Sequence, residues 1–234
     1  MPRPKAIRPR PARRGRQRPG PRANREEARA AILQAALEEF AHEGLAGART
    51  DHIARAAGVN KALLYYYYRN KEALYGATLE HVFSGLATTV SAVLDRDLPP
   101  RDKVLAWAGA HFDYIAASPI YPRVVQREMM RAGRAGSPHM RRIAERYLRP
   151  IQMKLARVFQ QGMESGEFRR VDPMHFIFSV VAMNVFYFSS VPVLRILFHG
   201  DPLTPQRVAE RRAAVLDLVA AALFAPAPAG RKRP

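Results

Sequence analysis

Hydrophobic residues recur along this chain at spacings of three and four, which is the repeat of an amphipathic α-helix. The first clear stripe consists of Ile32, Leu33, Ala36, Leu37 and Phe40. Asn24, with Glu27 three residues later, forms a capping box ahead of the stripe, and Gly44 follows it. A helix from Asn24 to about Gly44 that buries one face is therefore predicted.

Two shorter helical patterns follow, joined by a tight turn at Gly58. Thr50 is suited to cap the first of them and Asn60 to cap the second. Ile53 and Ala54 fall on the inner face of the first pattern. Two short helices joined by a glycine turn are typical of a helix-turn-helix.

The second of these helices contains four consecutive tyrosines, Tyr65 to Tyr68. Successive helical residues step about 100° around the axis, so the four rings cannot all be buried. Leu64 and Tyr68, four residues apart, are predicted to face the first helix. The outward face then carries Lys61, Ala62, Leu63, Tyr65 and Tyr66. An exposed face this aromatic, with a lysine at its start, indicates a binding partner.

The remaining pattern is helical as well. A fourth helix is predicted from Lys71, capped by Asn70, to about Asp95, ended by two prolines. Further helices are predicted at about 102–117, 120–132, 138–164, 173–198 and 205–224. No segment alternates as a strand does, so an all-α fold is predicted.

The mostly apolar segment from Phe176 to Phe198 is long enough to span a membrane. Asn184, Pro192 and Arg195 interrupt it, which favours a helix buried inside protein and no membrane partner. The last helix has a stripe of Val208, Val215, Leu216, Val219 and Leu223. Two neighbouring helices with large apolar faces predict a two-fold dimer interface.

The net charge of +18 indicates a polyanionic partner, but it is concentrated at the ends of the chain. Nine positive charges and no acidic residue lie in 1–23, among prolines, and three more positive charges lie in 226–234. A disordered basic tail is predicted for 1–23 and a basic C-terminal tail for 226–234. They flank a helix-turn-helix domain at 24–70 and a larger helical domain at 71–225.

Signatures of catalysis and metal binding are missing from the sequence. The chain has no cysteine, its histidines never pair at helical spacing, and it contains neither a GxSxG motif nor a phosphate-cradling glycine loop. An enzyme, a metal site and a cofactor are therefore not expected. The basic start is not followed by an apolar stretch, so no signal peptide is expected and a cytoplasmic protein is predicted.

The segment from Thr50 to Lys71 resembles the DNA-binding motif of TetR-type transcriptional regulators. The matching positions are Thr50, Ile53-Ala54, Ala57-Gly58-Val59, Asn60, Lys61, Leu64-Tyr65, Tyr66-Tyr67 and Lys71 to Leu74. The family commonly has Ser or Thr at Asn60, Gly at Ala62 and His-Phe at Tyr67-Tyr68. The resemblance implies an N-terminal three-helix DNA-binding domain and a C-terminal helical domain for ligand binding and dimerisation.

The resemblance also implies roles for individual residues in this motif. Phosphate contacts are expected from Thr50, Tyr65, Tyr67 and Lys71. Base contacts are expected from Lys61, Ala62, Leu63 and Tyr66. Core packing is the alternative for the tyrosines, including Tyr67, and an ordinary solvated side chain is the alternative for Lys71.

The basic tail suggests a second DNA contact. Arg13, Arg14, Gly15 and Arg16 loosely resemble an AT-hook, in which arginines enter the narrow minor groove. Gln17 stands where such an element has proline. An unspecific arm that only releases counterions from the phosphates is the favoured alternative.

A cavity for a small effector, between the fourth and eighth helices, is implied by the resemblance. Trp107, His111 and Tyr114 share one helical face at i, i+4 and i+7, and aromatic faces with polar tips suit a pocket. Phe83, Asn184 and Tyr187 are further candidates, although a role in the core is favoured for each. A largely apolar or aromatic effector is expected.

The resulting hypothesis is a ligand-responsive repressor that binds a palindromic operator in double-stranded DNA as a homodimer. The sequence leaves activation open beside repression. The alternative function is that of an architectural protein that binds nucleic acid without sequence preference, as the tails and the net charge favour.

Overall fold

The computed structural model describes residues 21–132 and 137–225. The N-terminal helices are α1 (Pro21–Gly47), α2 (Thr50–Ala56) and α3 (Lys61–Tyr67). The remaining helices are α4 (Lys71–Leu94), α5 (Pro100–Ala117), α6 (Tyr121–Ala132), α7 (Pro138–Ile143), α8 (Arg149–Glu164), α9 (Pro173–Ser189), α10 (Val191–Leu197) and α11 (Pro205–Leu223). Within the described ranges the β pairing is limited to an isolated antiparallel bridge between Phe168 and Phe224. The predicted all-α fold is confirmed.

Helix α1 begins at Pro21, ahead of the predicted cap at Asn24. Asn24 therefore lies inside the helix, and the predicted capping box is wrong. Proline fits the first helical position because its fixed φ is already helical and its missing N–H has no partner there. The disordered tail was predicted to extend to residue 23, but residues 21–23 belong to α1, so this part of the prediction is wrong. The tail predictions for 1–20 and 226–234, including the arm of Arg13, Arg14 and Arg16, fall outside the described residues.

The stripe predicted for α1 forms the centre of the first core. Ile32, Leu33, Ala36, Leu37 and Phe40 are all buried. They pack with side chains of the next three helices, namely Ile53, Leu64, Leu74 and Tyr75. Full burial of each large apolar side chain stabilises the fold by about 1.5–3 kcal/mol, so this stripe fixes the three-helix arrangement.

Local signals set the ends of the short helices. Gly58 has φ of +67°, the left-handed conformation that glycine adopts readily. Asn60 Oδ1 accepts the N–H of Leu63 at 2.7 Å, and Asn70 Oδ1 accepts the N–H of Ala73 at 2.8 Å, so both predicted caps are confirmed.

The cap predicted at Thr50 is wrong. Arg49 occupies the N-cap position of α2 without a side-chain hydrogen bond, and Thr50 is the first residue of the helix. The backbone N–H of Arg49 instead donates to Glu39 Oε1 of α1 at 2.8 Å. A carboxylate from a neighbouring helix thus holds the start of α2, which frees the hydroxyl of Thr50 for another partner.

Helix α5 is the central helix of the larger part and contacts α4, α8, α9 and α11. The face predicted to pack is buried at Val104, Ala108, Phe112 and Ile115, while Leu105 is half-buried. Because α5 has neighbours on opposite sides, its second face is also removed from solvent, and Trp107 is buried there. This second face borders the cavity described below.

The predicted helix at 138–164 follows one helical path with an irregular turn. It consists of α7, a π-helical turn at Ala144–Leu148, and α8. Pro150 has no N–H to donate to the carbonyl of Arg146, and a π-helical turn absorbs such a break in the ladder.

The predicted continuous helix at 173–198 is wrong, because it breaks between α9 and α10 with a bend of 70°. Pro192, near the start of α10, lacks the N–H that would continue the ladder and crowds the carbonyl of Phe188. Among the described residues, no single helix is long and apolar enough to cross a membrane, and only this bent pair passes that test together.

The apolar segment is also less buried than predicted. Val180, Phe188 and Val191 lie in the core, but Phe178 and Phe186 are each 70% exposed. The exposed apolar residues of α10 are Val193, Ile196 and Leu197. Only Val191 and Leu194 of α10 pack inward, and the bend leaves its other apolar side chains in solvent.

The stripe of α11 serves the interior of the subunit and not a dimer interface, which corrects the prediction. Val215, Val219 and Leu223 are buried in clusters that include side chains of α5 and α9. α11 lies across α5 and uses its most apolar face there. Its outward face carries Ala214, Leu218 and Ala221.

Candidate nucleic-acid interface and ligand cavity

The outward face of α3 is available for a partner, as predicted. Lys61 and Ala62 are exposed, Leu63 is half-buried, and Tyr66 is 72% exposed. The same helix is anchored from its other side by Leu64, and Tyr68, which follows the end of the helix, is buried in the same first core. The result is a short helix with a fixed orientation and a free row of side chains.

Two of the predicted phosphate contacts lie side by side. The hydroxyls of Thr50 in α2 and Tyr65 in α3 are 3.0 Å apart and share one hydrogen bond. Because two hydroxyls carry two protons and this bond uses one, the other proton remains for an acceptor such as a phosphate oxygen. The pair also ties the start of α2 to the middle of α3.

Lys71 has a structural role that the sequence did not predict. Its Nζ donates to the carbonyl oxygens of Ala46 and Ala48, both at 3.1 Å. These carbonyls lie where α1 turns into α2. An ammonium group has three donors, so one N–H of Lys71 is left for a phosphate.

Tyr67 is half-buried and packs against the first core. Its hydroxyl donates to the carbonyl of Arg25 in α1 at 3.3 Å. The alternative weighed for this residue, a packing role, accounts for this position. A phosphate contact from Tyr67 would have to replace the bond to Arg25.

Helix α6 is fastened to the end of α1 by Arg127. Its Nε donates to the carbonyl of Ala41 at 2.9 Å and its Nη2 to that of His42 at 2.6 Å. Gly44 leaves the helical conformation, so carbonyls just before it lose helical partners. A guanidinium fork satisfies two of them and connects α6 to the helix-turn-helix.

A cavity of about 620 Å³ lies among α4, α5, α6, α8 and α9. Phe83, Trp107, His111 and Tyr114, predicted as pocket residues, all line it. Its lining is overwhelmingly apolar, and the charged lining residues Glu145 and Arg149 are exposed, which places them at the rim. A cavity of this size and character suits a small apolar molecule.

A polar pair lies behind this apolar lining. Asn184 is fully buried and does not line the cavity, but its Nδ2 is 3.0 Å from His111 Nδ1. Burial lowers the pKa of His111 to about 4, so the imidazole is neutral at physiological pH.

Tyr187 was predicted as a pocket residue, and the structure places it elsewhere. It packs on Phe188 in the core cluster of α5, α9 and α11, and its hydroxyl donates to the carbonyl of Pro202 at 3.0 Å. Tyr187 lies three residues beyond Asn184, and the two side chains differ in direction by about 60° on the helix. That rotation turns Tyr187 away from the cavity.

Tyr114 joins the cavity to α4. Its hydroxyl donates to the carbonyl of Val82 at 2.7 Å, and burial raises its pKa. The hydroxyl also lies against Gly85, where an added Cβ would collide with it. Glycine at this position thus permits the close approach of a cavity-lining ring to α4.

Sequence reasoning missed most of the lining. The missed residues include Tyr121, Val125 and Met129 of α6, Ile151 and Leu155 of α8, and Ile177 and Val181 of α9. The strong amphipathic pattern of α6 and α8 indicated an inner face, but periodicity does not say whether an inner face meets another helix or open space.

Metal binding has no site in the described part of the chain, where no group of three His, Asp or Glu side chains comes together.

Two family models match the chain. The model for bacterial regulatory proteins of the tetR family matches residues 32–78, and the model for the tetracyclin repressor-like C-terminal domain matches residues 100–219. The HTH-type transcriptional repressor SCO4008 of Streptomyces coelicolor is 37% identical over 159 residues, covering 68% of this chain and 77% of that protein. The chain belongs to the TetR family of transcriptional regulators.

Solved structures agree with this assignment. The putative transcriptional regulator SCO4942 of Streptomyces coelicolor shares 28% identity and a TM-score of 0.60, with 82% of this chain and 96% of that chain covered. The regulator FadR of Bacillus subtilis in complex with stearoyl-CoA shares the fold at 18% identity and a TM-score of 0.63, with 82% and 97% covered. The TetR-family resemblance is confirmed, and this family comprises regulators and not enzymes.

Proposed function

We propose that this TetR-family regulator is a homodimeric repressor that binds a palindromic operator in double-stranded DNA and is released by a small, largely apolar effector. Residues 24–70 form the DNA-binding domain and residues 71–225 the effector-binding and dimerisation domain. Because its target is genomic DNA, the proposed place of action is the cytoplasm. The SCO4008 protein, which is named a repressor, supports repression over activation.

The exposed row on α3 is the observation that carries this proposal. Lys61 is suited to donate to guanine O6 and N7 in the major groove, and Ala62 and Leu63 are suited to pack on a thymine methyl. Tyr66 extends furthest into solvent, at 72% exposure. None of these side chains belongs to the first core, where Leu64 and Tyr68 are buried.

Phosphate contacts would flank this row. The Thr50–Tyr65 hydroxyl pair lies at the N-terminus of α2, where helix N–H groups also suit a phosphate oxygen. Lys71 offers its remaining N–H from the N-terminus of α4. Contacts on both sides of the row would fix its register on the duplex.

Dimerisation would use the exposed apolar side chains of α9 and α10. Phe178 and Phe186 lie eight residues apart on one face of α9, and Ile196 of α10 is 73% exposed. The outward face of the neighbouring α11 offers small residues and Leu218, and Arg211 of α11 donates to the Met183 carbonyl of α9 at 3.4 Å. Large side chains beside small ones permit interlocking helices, and exposed apolar patches of this kind mark interfaces.

An effector in the cavity would act on the DNA-binding domain through two helices. Tyr114 connects the lining to α4, and α6 connects it to α1 through Arg127. A ligand that fits only one arrangement of α4 and α6 would shift the separation of the two α3 helices in the dimer. The FadR complex with stearoyl-CoA supports an effector with a long apolar portion.

Selection of bound fragments from a random duplex pool tests the function, followed by competition against scrambled duplex at physiological salt. The expected result is a palindrome, whose half-sites are about one helical turn or more apart, bound about 10³-fold or more above scrambled DNA. Equal binding to both duplexes would contradict the proposal and favour the architectural alternative.

A further inference from the structure

The His111–Asn184 pair is the polar feature of an otherwise apolar part of the cavity. His111 is 5% exposed and Asn184 is fully buried, and their ring and amide nitrogens are 3.0 Å apart. A buried polar pair costs free energy unless its donors and acceptors are satisfied. In this pair they are only partly satisfied.

The unpartnered atom of the pair defines the tautomer of His111. Asn184 Nδ2 contacts His111 Nδ1, and Asn184 Oδ1 has no hydrogen-bond partner. The opposite amide orientation would leave two N–H donors unpartnered, which is rarer in proteins than an unpartnered carbonyl oxygen. The amide therefore donates to Nδ1, and the ring hydrogen of the neutral imidazole lies on Nε2.

The Nε2–H group is the part of the pair that a bound molecule can reach. His111 lines the cavity and Asn184 lies behind it. No hydrogen-bond acceptor among the described residues contacts Nε2. This atom is nevertheless not fully enclosed by protein, so a ligand in the cavity can reach it. The cavity thus presents a hydrogen-bond donor within apolar walls.

Charge at this position is disfavoured. Burial lowers the pKa of His111 to about 4, so the ring does not supply a cation at neutral pH. The charged groups of the lining, Glu145 and Arg149, are both exposed at the rim. A ligand anion or ammonium beside His111 would therefore be buried without a counter-charge, which is costly.

We propose that His111, oriented by Asn184, is a specificity-determining residue that selects effectors with an uncharged hydrogen-bond acceptor, such as a ketone or ester carbonyl, on an otherwise apolar skeleton. This inference rests on the proposed role of the cavity as the effector site. It adds to that role the chemical class of the group that the effector presents.

The test compares matched ring compounds on the full-length protein. Cyclododecanone, cyclododecane, cyclododecylamine and cyclododecanecarboxylic acid share a skeleton and differ in the polar group. Binding is measured by displacement of N-phenylnaphthylamine and by the emission of Trp107, which lines the cavity and is the only tryptophan of the chain. In the wild type the ketone is expected to bind more tightly than the amine or the acid.

The decisive quantity is the ratio of ketone affinity to hydrocarbon affinity, compared between each variant and the wild type. Dehydrating the ketone costs the same whichever protein binds it, so this cost cancels in the comparison. His111→Phe is expected to weaken ketone binding about fivefold to tenfold and to leave cyclododecane binding within about twofold. His111→Gln, which keeps an N–H donor, should retain part of the preference. Met129→Leu is the matched control, since it changes only apolar lining and should affect both compounds alike.

The outcomes separate the two proposals. Equal effects of His111→Phe on ketone and hydrocarbon, or tightest binding of the acid, would overturn the selection of a neutral acceptor while the effector cavity stands. Failure of the dye and all four compounds to bind a protein that still binds its operator would overturn both. If His111→Phe does not fold, the ratio of ketone affinity to hydrocarbon affinity is measured in His111→Gln and Asn184→Leu instead. A ratio equal to that of the wild type in both variants would overturn the proposed role of the His111–Asn184 pair.

Discussion

The head (residues 21–70) and the body (α4 to α11) differ in where their unpartnered buried polar groups lie. Five buried side-chain atoms lack a hydrogen-bond partner in the described part of the chain, and only the hydroxyl of Tyr68 belongs to the head. The other four are atoms of Asn184, Ser189, Arg207 and Arg211 in the body. Relative to their lengths the two parts leave similar numbers of atoms unpartnered, and they differ in where these atoms lie: Asn184 Oδ1 belongs to the polar pair behind the cavity, whereas the hydroxyl of Tyr68 lies in the first core.

This difference fits the two proposed tasks. A reading surface must hold one geometry, and Lys71, Asn60 and the Thr50–Tyr65 pair each fasten it at a separate point. A responsive body needs two arrangements of similar free energy. An open cavity forfeits dispersion contacts that a ligand restores, so the body gains more from binding than a close-packed core would.

The largest expected effect tests whether the body acts by joining two heads. Phe186→Glu should yield a monomer, because burial of one phenylalanine stabilises by about 1.5–3 kcal/mol and the two-fold axis doubles the loss. Operator affinity should fall by about two orders of magnitude or more. Light scattering after gel filtration gives the mass, and a gel shift gives the affinity.

Met130→Glu is the matched control for that variant. Met130 is 85% exposed and lies on α6, which is not one of the helices of the proposed interface. It should leave the dimer and the operator affinity unchanged. A dimeric Phe186→Glu protein would show that α9 does not form the interface.

Acid should destabilise the body through His111. Its pKa is about 4 when folded and near 6.5 when unfolded, so below 6.5 the unfolded chain takes up a proton that the folded chain refuses. Stability is full above the unfolded value and is lost as pH falls toward the folded one. From about pH 7 to about pH 5 this group should cost about 2 kcal/mol of unfolding free energy.

The His111→Phe variant isolates this contribution, since all other titrating groups remain. Denaturant unfolding at each pH should show a smaller loss on acidification for the variant than for the wild type. If the wild type and the variant lose the same unfolding free energy on acidification, the imidazole is protonated in the folded body as well. That result would contradict a buried, neutral His111 beside the cavity.

Base preference should reside in the head alone. Lys61→Ala is expected to lower affinity for the selected operator about tenfold, the lower part of the range for a bidentate base contact, with a smaller loss on scrambled duplex. Lys71→Ala should weaken both duplexes alike and also lower the thermal stability, because it frees the carbonyls of Ala46 and Ala48. Quantitative gel shifts on the two duplexes check this division, and equal losses for both variants on both duplexes would refute it.

The head and the body also differ in how much of their structure could be predicted from the sequence. The head depends on signals within a few residues of each other, such as the caps at Asn60 and Asn70 and the turn at Gly58, and these were predicted. The start of α2 was not, because its partner Glu39 lies ten residues earlier on another helix. The structural role of Lys71 was not predicted either, because its acceptors, the carbonyls of Ala46 and Ala48, are also distant in the sequence.

The body depends on contacts between distant segments. The four cavity residues predicted on α4 and α5 do line the cavity, but nothing local distinguishes Tyr187, which is in the core, from Val185, which lines the cavity. The sharp bend at Pro192 decides which apolar residues remain exposed. Periodicity identified the apolar faces and not their partners.

The smallest expected effect concerns whether reading is confined to the head. Deletion of residues 1–20 keeps α1 intact, since the helix begins at Pro21, and removes most of the N-terminal positive charge. If the arm binds phosphates, the slope of log affinity against log salt should become shallower by about 0.9 for each phosphate that the arm no longer neutralises.

A matched variant with Arg13, Arg14 and Arg16 changed to alanine separates the hypotheses for the arm. A minor-groove arm predicts that this variant loses more affinity on A·T-rich flanks than on G·C-rich ones, whereas an unspecific arm predicts equal losses. An unchanged slope after deletion would mean that the arm never reaches the duplex, and that the head alone binds the DNA.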